Sequence, residues 1–158
     1  MVIVSDTSPV TSLIQIGQLE LLNAIFGQVV IPTAVYEELC RVPGQQIVID
    51  QQNWLFIDHA QDSKHVKTLE IDLDPGEAEA IVLALELKAD YLVIDELKGR
   101  NKAEEIGLKI IGSLGVLLQA KQLGLIPAVK PLIDNLIQKA EFRVHPALYQ
   151  QVLKIAGE

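Results

Sequence analysis

Apolar residues fall in short unbroken runs, set between longer stretches of helical period. Val2-Ile3-Val4 is such a run, closed by Ser5-Asp6, and residues 2–6 read as a buried strand. Ser8-Pro9 supplies a helix start, with Ser at the N-cap and Pro at the first helical position. Leu13, Ile14 and Ile16 follow, and Gly17 ends that helix. Residues 19–25 read as a second short helix closed by Gly27. Val29-Val30-Ile31 is a brief strand stopped by Pro32. Residues 33–41 follow as a helix, with Val35 and Leu39 four apart on its inner face. Residues 47–49 and 54–57 are apolar and strand-like, and 62–71 form a short helix.

Asp74-Pro75-Gly76 is a strong helix start for residues 77–88, whose buried stripe is Ala80, Ile81, Ala84, Leu85 and Leu87. A strand at 91–95 leads into a helix at 100–106 and a strand at 108–111. Gly112-Ser113 caps a helix running to about Leu123, and another covers 127–140. Phe142-Arg143-Val144 reads as an edge strand, and Pro146 opens a last helix ending near Ile155. Strands alternate with helices, which predicts one domain over residues 1–158. Its expected form is a three-layer α/β/α sandwich on a mostly parallel sheet.

Composition narrows the class. The chain is 49% hydrophobic and only 4% aromatic, so aliphatic side chains fill the core. No apolar run approaches the roughly 20 residues that span a bilayer, so no membrane role is expected. No basic leader with a small-residue cleavage site opens the chain, and Cys40 is the sole cysteine. A soluble, cytoplasmic protein is the expectation. The formal charge of −8 argues against a simple nucleic-acid-coating protein. The charge is uneven, however. Residues 1–63 hold one basic residue against seven acids, whereas 64–158 hold twelve against fourteen.

The candidate chemistry is acidic. Asp6 and the pair Asp95-Glu96 end apolar strands, where open α/β sheets bind ligands. Glu38 adjoins the buried stripe of its helix, while Glu37 turns further toward water. Glu77 and Glu79 both occupy the first turns of the 77–88 helix, where the dipole favours acids. Ala78 and Ala80 leave room for the Glu79 carboxylate to approach backbone or a metal. Such a set of carboxylates suits Mg²⁺ or Mn²⁺, hard cations that take oxygen ligands. Lys98 and Arg100 follow immediately and are candidate contacts for nucleic-acid phosphate. His59, His65 and His145 have no zinc spacing, and His145 before Pro146 reads as a helix-start residue.

Taken together, Val4-Ser-Asp6-Thr-Ser, Pro32-Thr-Ala-Val-Tyr-Glu-Glu38-Leu, Gly76-Glu-Ala-Glu79-Ala-Ile and Val93-Ile-Asp95-Glu96 resemble the PIN domain. Gly107-Leu-Lys-Ile-Ile-Gly112-Ser-Leu-Gly115-Val-Leu-Leu and the tail Pro146-Ala-Leu-Tyr149 add to the match. The similarity is greatest to a compact prokaryotic PIN subfamily of unassigned function. It implies a Rossmann-like α/β/α sandwich and a Mg²⁺- or Mn²⁺-dependent endoribonuclease. The VapC-type toxins of toxin–antitoxin pairs belong to this family. RNA, an antitoxin protein and a second copy of the chain are the partners it implies.

The family acids map to Asp6, Glu38, Glu79, and Asp95 or Glu96, with Glu77 competing for the third position. Asp6, Glu38, Glu79 and Asp95 are the expected metal ligands. Leu114, Val116, Leu117, Leu118, Leu123 and Ile126 exceed what one small sheet needs and offer a homodimer surface. The rival reading is a PIN-fold module that binds RNA or a protein without cutting. A response-regulator-like receiver fits poorly, because Asp6 follows Ser5 rather than an acid and no Lys ends a later strand.

Overall fold

The strands are short, two to four residues each. A computed structural model describes residues 1–158. Five parallel strands, β1 (Ile3–Ser5), β2 (Val29–Pro32), β3 (Leu55–Asp58), β4 (Tyr91–Val93) and β5 (Ile110–Ile111), lie in the order β3-β2-β1-β4-β5. The register pairs Val4 with Val30 on one side and Leu92 on the other. Ten helices surround them: α1 (Thr7–Gln15), α2 (Glu20–Phe26), α3 (Thr33–Cys40), α4 (Gln45–Asp50), α5 (Ser63–Leu69), α6 (Pro75–Glu86), α7 (Leu97–Ile106), α8 (Ser113–Gln122), α9 (Lys130–Lys139) and α10 (Pro146–Ile155).

Alternation along the strands divides the core in two. Ile3, Val29, Ile31 and Val93 join Leu13, Leu22, Leu117 and Ile133 beneath α1, α2, α8 and α9. Val4, Leu92 and Ile94 join Ala80, Ile81, Leu83 and Ala103 beneath α6 and α7. Both faces are thus covered, the arrangement an all-parallel sheet requires. The expected α/β/α architecture is the observed one. No helix is long and apolar enough to cross a membrane.

Several local readings change. The apolar run 47–49 lies in helix α4 rather than a strand, entered through Gly44 at φ 84°. Only Gln45 and Ile49 of that helix are buried, so its inner face is set by i,i+4 spacing. No strand forms at 142–144. Glu141, at φ 53°, closes α9, and His145 already caps α10, which leaves too few residues to pair with β5. His145 is the expected helix-start residue, its side chain accepting from the Ala147 amide. Helix α1 starts at Thr7, with Asp6 rather than Ser8 in the N-cap position. Pro9 still falls within the first turn, where its missing N–H has no intrahelical partner to lose.

Candidate functional site

The strand order reverses direction between β1 and β4, and the carboxyl ends there open the crevice in which such sheets bind ligands. Asp6 leaves β1 and Asp95 leaves β4. The Asp6 amide donates to the Val93 carbonyl at 2.9 Å, which fixes the two strand ends together. The Asp6 side chain is 2% exposed and makes no capping hydrogen bond to α1, and its Oδ1 has no partner at all. Burial pushes its pKa up to about 7. A Thr7 backbone hydrogen bond opposes that rise, and the neighbouring charges of Asp74, Glu38 and Asp95 add to it.

Helix α6 brings the next carboxylates. Asp74 caps it by accepting from the Glu77 amide at 2.8 Å. The Glu77 side chain is 6% exposed, and its Oε2 is likewise without a partner. Burial raises its pKa to about 9, helped by a hydrogen bond with Asp74 and by the charges of Asp74, Asp6 and Glu96. At neutral pH, with no cation present, Glu77 therefore keeps its proton. Glu38, from α3, accepts from the Gly76 amide at 3.0 Å and from the Thr7 hydroxyl, tying α3 to the starts of α1 and α6. Asp95 accepts from the amide and the hydroxyl of Ser113, at 2.7 and 2.6 Å, at the start of α8. Burial raises the Asp95 pKa, and the Ser113 contacts and nearby Arg100 pull it down. Glu96 is exposed at the N-cap position of α7.

Three glycines make room for these carboxylates. A methyl group on Gly76 would lie 2.6 Å from Glu38 Oε2, and one on Gly99 would lie 2.6 Å from Glu77 Oε2. On Gly112 it would come within 2.9 Å of Asp95 Oδ1 and 2.7 Å of Arg100 Nη1. All three stand at or within the first turn of a helix. Helices α1, α6, α7 and α8 all begin around this cluster. Their positive dipole ends offset part of the repulsion among the acids.

Glu79 goes elsewhere. Its carboxylate accepts from the Ala34 amide at 2.8 Å and the Ala60 amide at 3.2 Å, joining the start of α3 to the segment after β3. Asp6, Glu38, Asp95 and Glu77 thus share one acidic cluster, and Glu79, the other candidate for the third position, lies apart from it. Gly99 makes room for Glu77 through the packing of α7 on α6, a tertiary contact with no signal in the local sequence. Arg100 donates from Nη1 to the Ile94 carbonyl at 2.9 Å beside Asp95. Lys98 is exposed.

Two buried, unpartnered carboxylate oxygens within one acidic cluster fit a hard divalent cation, which takes oxygen ligands and lowers the pKa of the acids it binds. As they stand, no three acidic, His or Cys side chains enclose an ion. A family model described as a PIN domain matches residues 2–158. The chain belongs to the PIN-domain family. PIN domains are generally nucleases and typically use divalent metal ions. No curated protein matches the chain. Among solved structures, a PilT N-terminus domain protein from the archaeon Sulfolobus solfataricus P2 is similar, at 18% identity. That match covers 92% of this chain and 98% of the other, with a TM-score of 0.47.

Proposed function

We propose that this PIN domain is a Mg²⁺- or Mn²⁺-dependent endoribonuclease, and that the partnerless Asp6 Oδ1 and Glu77 Oε2 are the observation that carries the reading. Leaving a buried carboxylate oxygen unpaired costs about 1–3 kcal/mol or more, and two in one cluster mark a place prepared for a cation. Asp6, Glu77, Glu38 and Asp95 would hold it. When bound, a divalent ion there supplies Lewis-acid activation of water and of the phosphoryl group.

The chain's own residues do the rest. Glu38 holds Thr7 and Gly76 in place, so the starts of α1 and α6 keep the Asp6 and Glu77 carboxylates in one acidic cluster. Ser113 fixes both oxygens of Asp95 and so sets its orientation. Lys98 is free to meet a backbone phosphate, whereas Arg100 is held against Ile94 and Asp95. Silencing by a small antitoxin protein, as in VapC-type pairs, is the regulatory setting we favour for such a nuclease.

The test is RNA cleavage by the purified chain in Mn²⁺, beside an EDTA control and Asp6→Asn. Loss of cleavage in both controls supports the reading. Cleavage that survives in Asp6→Asn removes it.

A further inference from the structure

A cleft of about 700 Å³ opens directly from the acids, between α1 and the turn that joins α9 to α10. That volume lies within the range of sites that bind drug-sized or nucleotide-sized ligands. One wall is a stripe on α1: Ser8, Thr11, Ser12 and Gln15, at i, i+3, i+4 and i+7. These side chains are uncharged, and each can both donate and accept a hydrogen bond. The Thr11 hydroxyl is turned to Gln45 at 3.2 Å, and Ser8 and Gln15 are exposed. Glu141, Phe142 and Arg143 line it from the turn after α9, Phe142 half-buried against the main core, and Asp95 and Glu96 line it from the acidic cluster.

The turn carrying Phe142 is built at a conformational cost. Glu141 has φ 53°, shared among non-glycine residues only by Lys88 after α6, while Gly17, Gly27, Gly107, Gly124 and Gly157 fill the left-handed positions at the ends of other helices. A side chain in this conformation costs roughly 1–2 kcal/mol. The Phe142 amide reaches back to the Leu136 carbonyl at 3.1 Å, so the left-handed residue fixes where the ring and Arg143 emerge.

An apolar ring and a row of uncharged donors and acceptors lining one cleft supply what a nucleobase needs, one surface for its face and one for its edge. We propose that this cleft is a base-reading subsite for the nucleotide next to the scissile phosphate, with Phe142 stacking on the base and Gln15 and Ser8 reading its edge. Arg143, the only cation lining the cleft, contacts a flanking phosphate. This rests on the nuclease reading above, and it adds that cleavage position is chosen by one unpaired base. With one basic side chain in the cleft, stacking and hydrogen bonds outweigh counterion release. Binding by this subsite therefore weakens little with salt.

The test maps cut sites on a randomised single-stranded RNA with the full chain in Mn²⁺, comparing wild type, Phe142→Leu, Phe142→Trp, Gln15→Ala and Arg143→Gln. Leu keeps an apolar side chain at a half-buried position and removes the ring; Trp keeps a ring. Wild type should show a base preference beside the cut. Phe142→Leu should raise KM about 10-fold and blur that preference, and Phe142→Trp should retain it. Gln15→Ala should relax the preference at the same position, and Arg143→Gln should weaken binding alike for all sequences. An active wild type whose cut sites and KM are unchanged in Phe142→Leu and Gln15→Ala overturns the subsite alone. Should Phe142→Leu not fold, Gln15→Ala and Phe142→Trp decide the matter by the same readouts. A wild type that neither cuts nor binds RNA overturns the nuclease reading, and the subsite with it.

Discussion

Glu77 and Glu79 leave the same helix two residues apart and meet opposite electrostatic fates. At the carboxyl ends of β2 and β3, Glu79 receives two backbone amides. At the ends of β1 and β4, Glu77 has an oxygen that receives nothing and carries a pKa raised to about 9 among other acids. Glu79 stabilises the fold by satisfying donors, whereas Glu77 is held in place at the expense of stability. Proteins hold such strain where a ligand will relieve it. The contrast teaches that charge and position in the sequence do not tell a satisfied acid from an unsatisfied one; the tertiary hydrogen bonds do.

The largest expected effect is on catalysis. Asp6→Asn and Glu77→Gln should each lower RNA cleavage by about 100-fold or more, measured as kcat/KM, while circular dichroism remains native. Glu79→Gln should change cleavage far less than either. Equal losses for Glu77→Gln and Glu79→Gln would dissolve the contrast.

Next is the dependence of stability on pH in the metal-free protein. Asp6 has a folded pKa near 7 against an ordinary value of 3.8, so its contribution is fully favourable below about pH 4. That contribution is lost as pH rises through 7, because the unfolded chain gives up the proton first. The full swing is on the order of 4 kcal/mol. Glu77 extends the decline toward pH 9. Thermal unfolding between pH 5 and 8 should show the melting temperature falling, with the slope reduced in Asp6→Asn and reversed by saturating Mn²⁺. A flat profile in the metal-free protein would contradict the burial of an ionisable Asp6.

A third expectation concerns the glycines. Gly99→Ala places a methyl group 2.6 Å from both Glu77 Oε2 and Ile94 Cδ1, and overpacking of this kind costs roughly 1–3 kcal/mol. Urea unfolding should show that loss together with weaker Mn²⁺ binding, because the displaced side chain belongs to the site. The smallest effect on the site belongs to the other region. Glu79→Ala leaves the Ala34 and Ala60 amides without their acceptor and should cost about 1–3 kcal/mol in urea unfolding, with Mn²⁺ binding preserved.

Much of this arrangement was legible before any coordinates. Asp6 and Asp95 stand out because an unbroken apolar run does not end on an acid without reason, and the β–α alternation dictates a covered parallel sheet. Glu77 and Glu79 were harder to separate. On a helix they point about 200° apart, but α6 is buried nearly all round, through Ala78, Ala80, Ile81, Val82, Leu83 and Ala84. An apolar surface on every side gives no stripe from which to read rotation. The Ile47-Val48-Ile49 run misled for a related reason, since three apolar residues fit a strand or one turn of helix equally. Phe142-Arg143-Val144 has strand composition, yet the left-handed Glu141 and the cap at His145 decide its path. The hydrogen bond from Arg100 to the Ile94 carbonyl was not legible, because only the turn between β4 and α7 brings the two together.

The most direct measurement is Mn²⁺ binding by calorimetry to wild type, Glu77→Gln and Glu79→Gln at pH 8. Wild type should bind, Glu77→Gln should bind about 10-fold or more weakly, and Glu79→Gln should bind as wild type does. Weakened binding in Glu79→Gln with Glu77→Gln unaffected would contradict the account, since it would place the cation with the satisfied carboxylate and not the unsatisfied one.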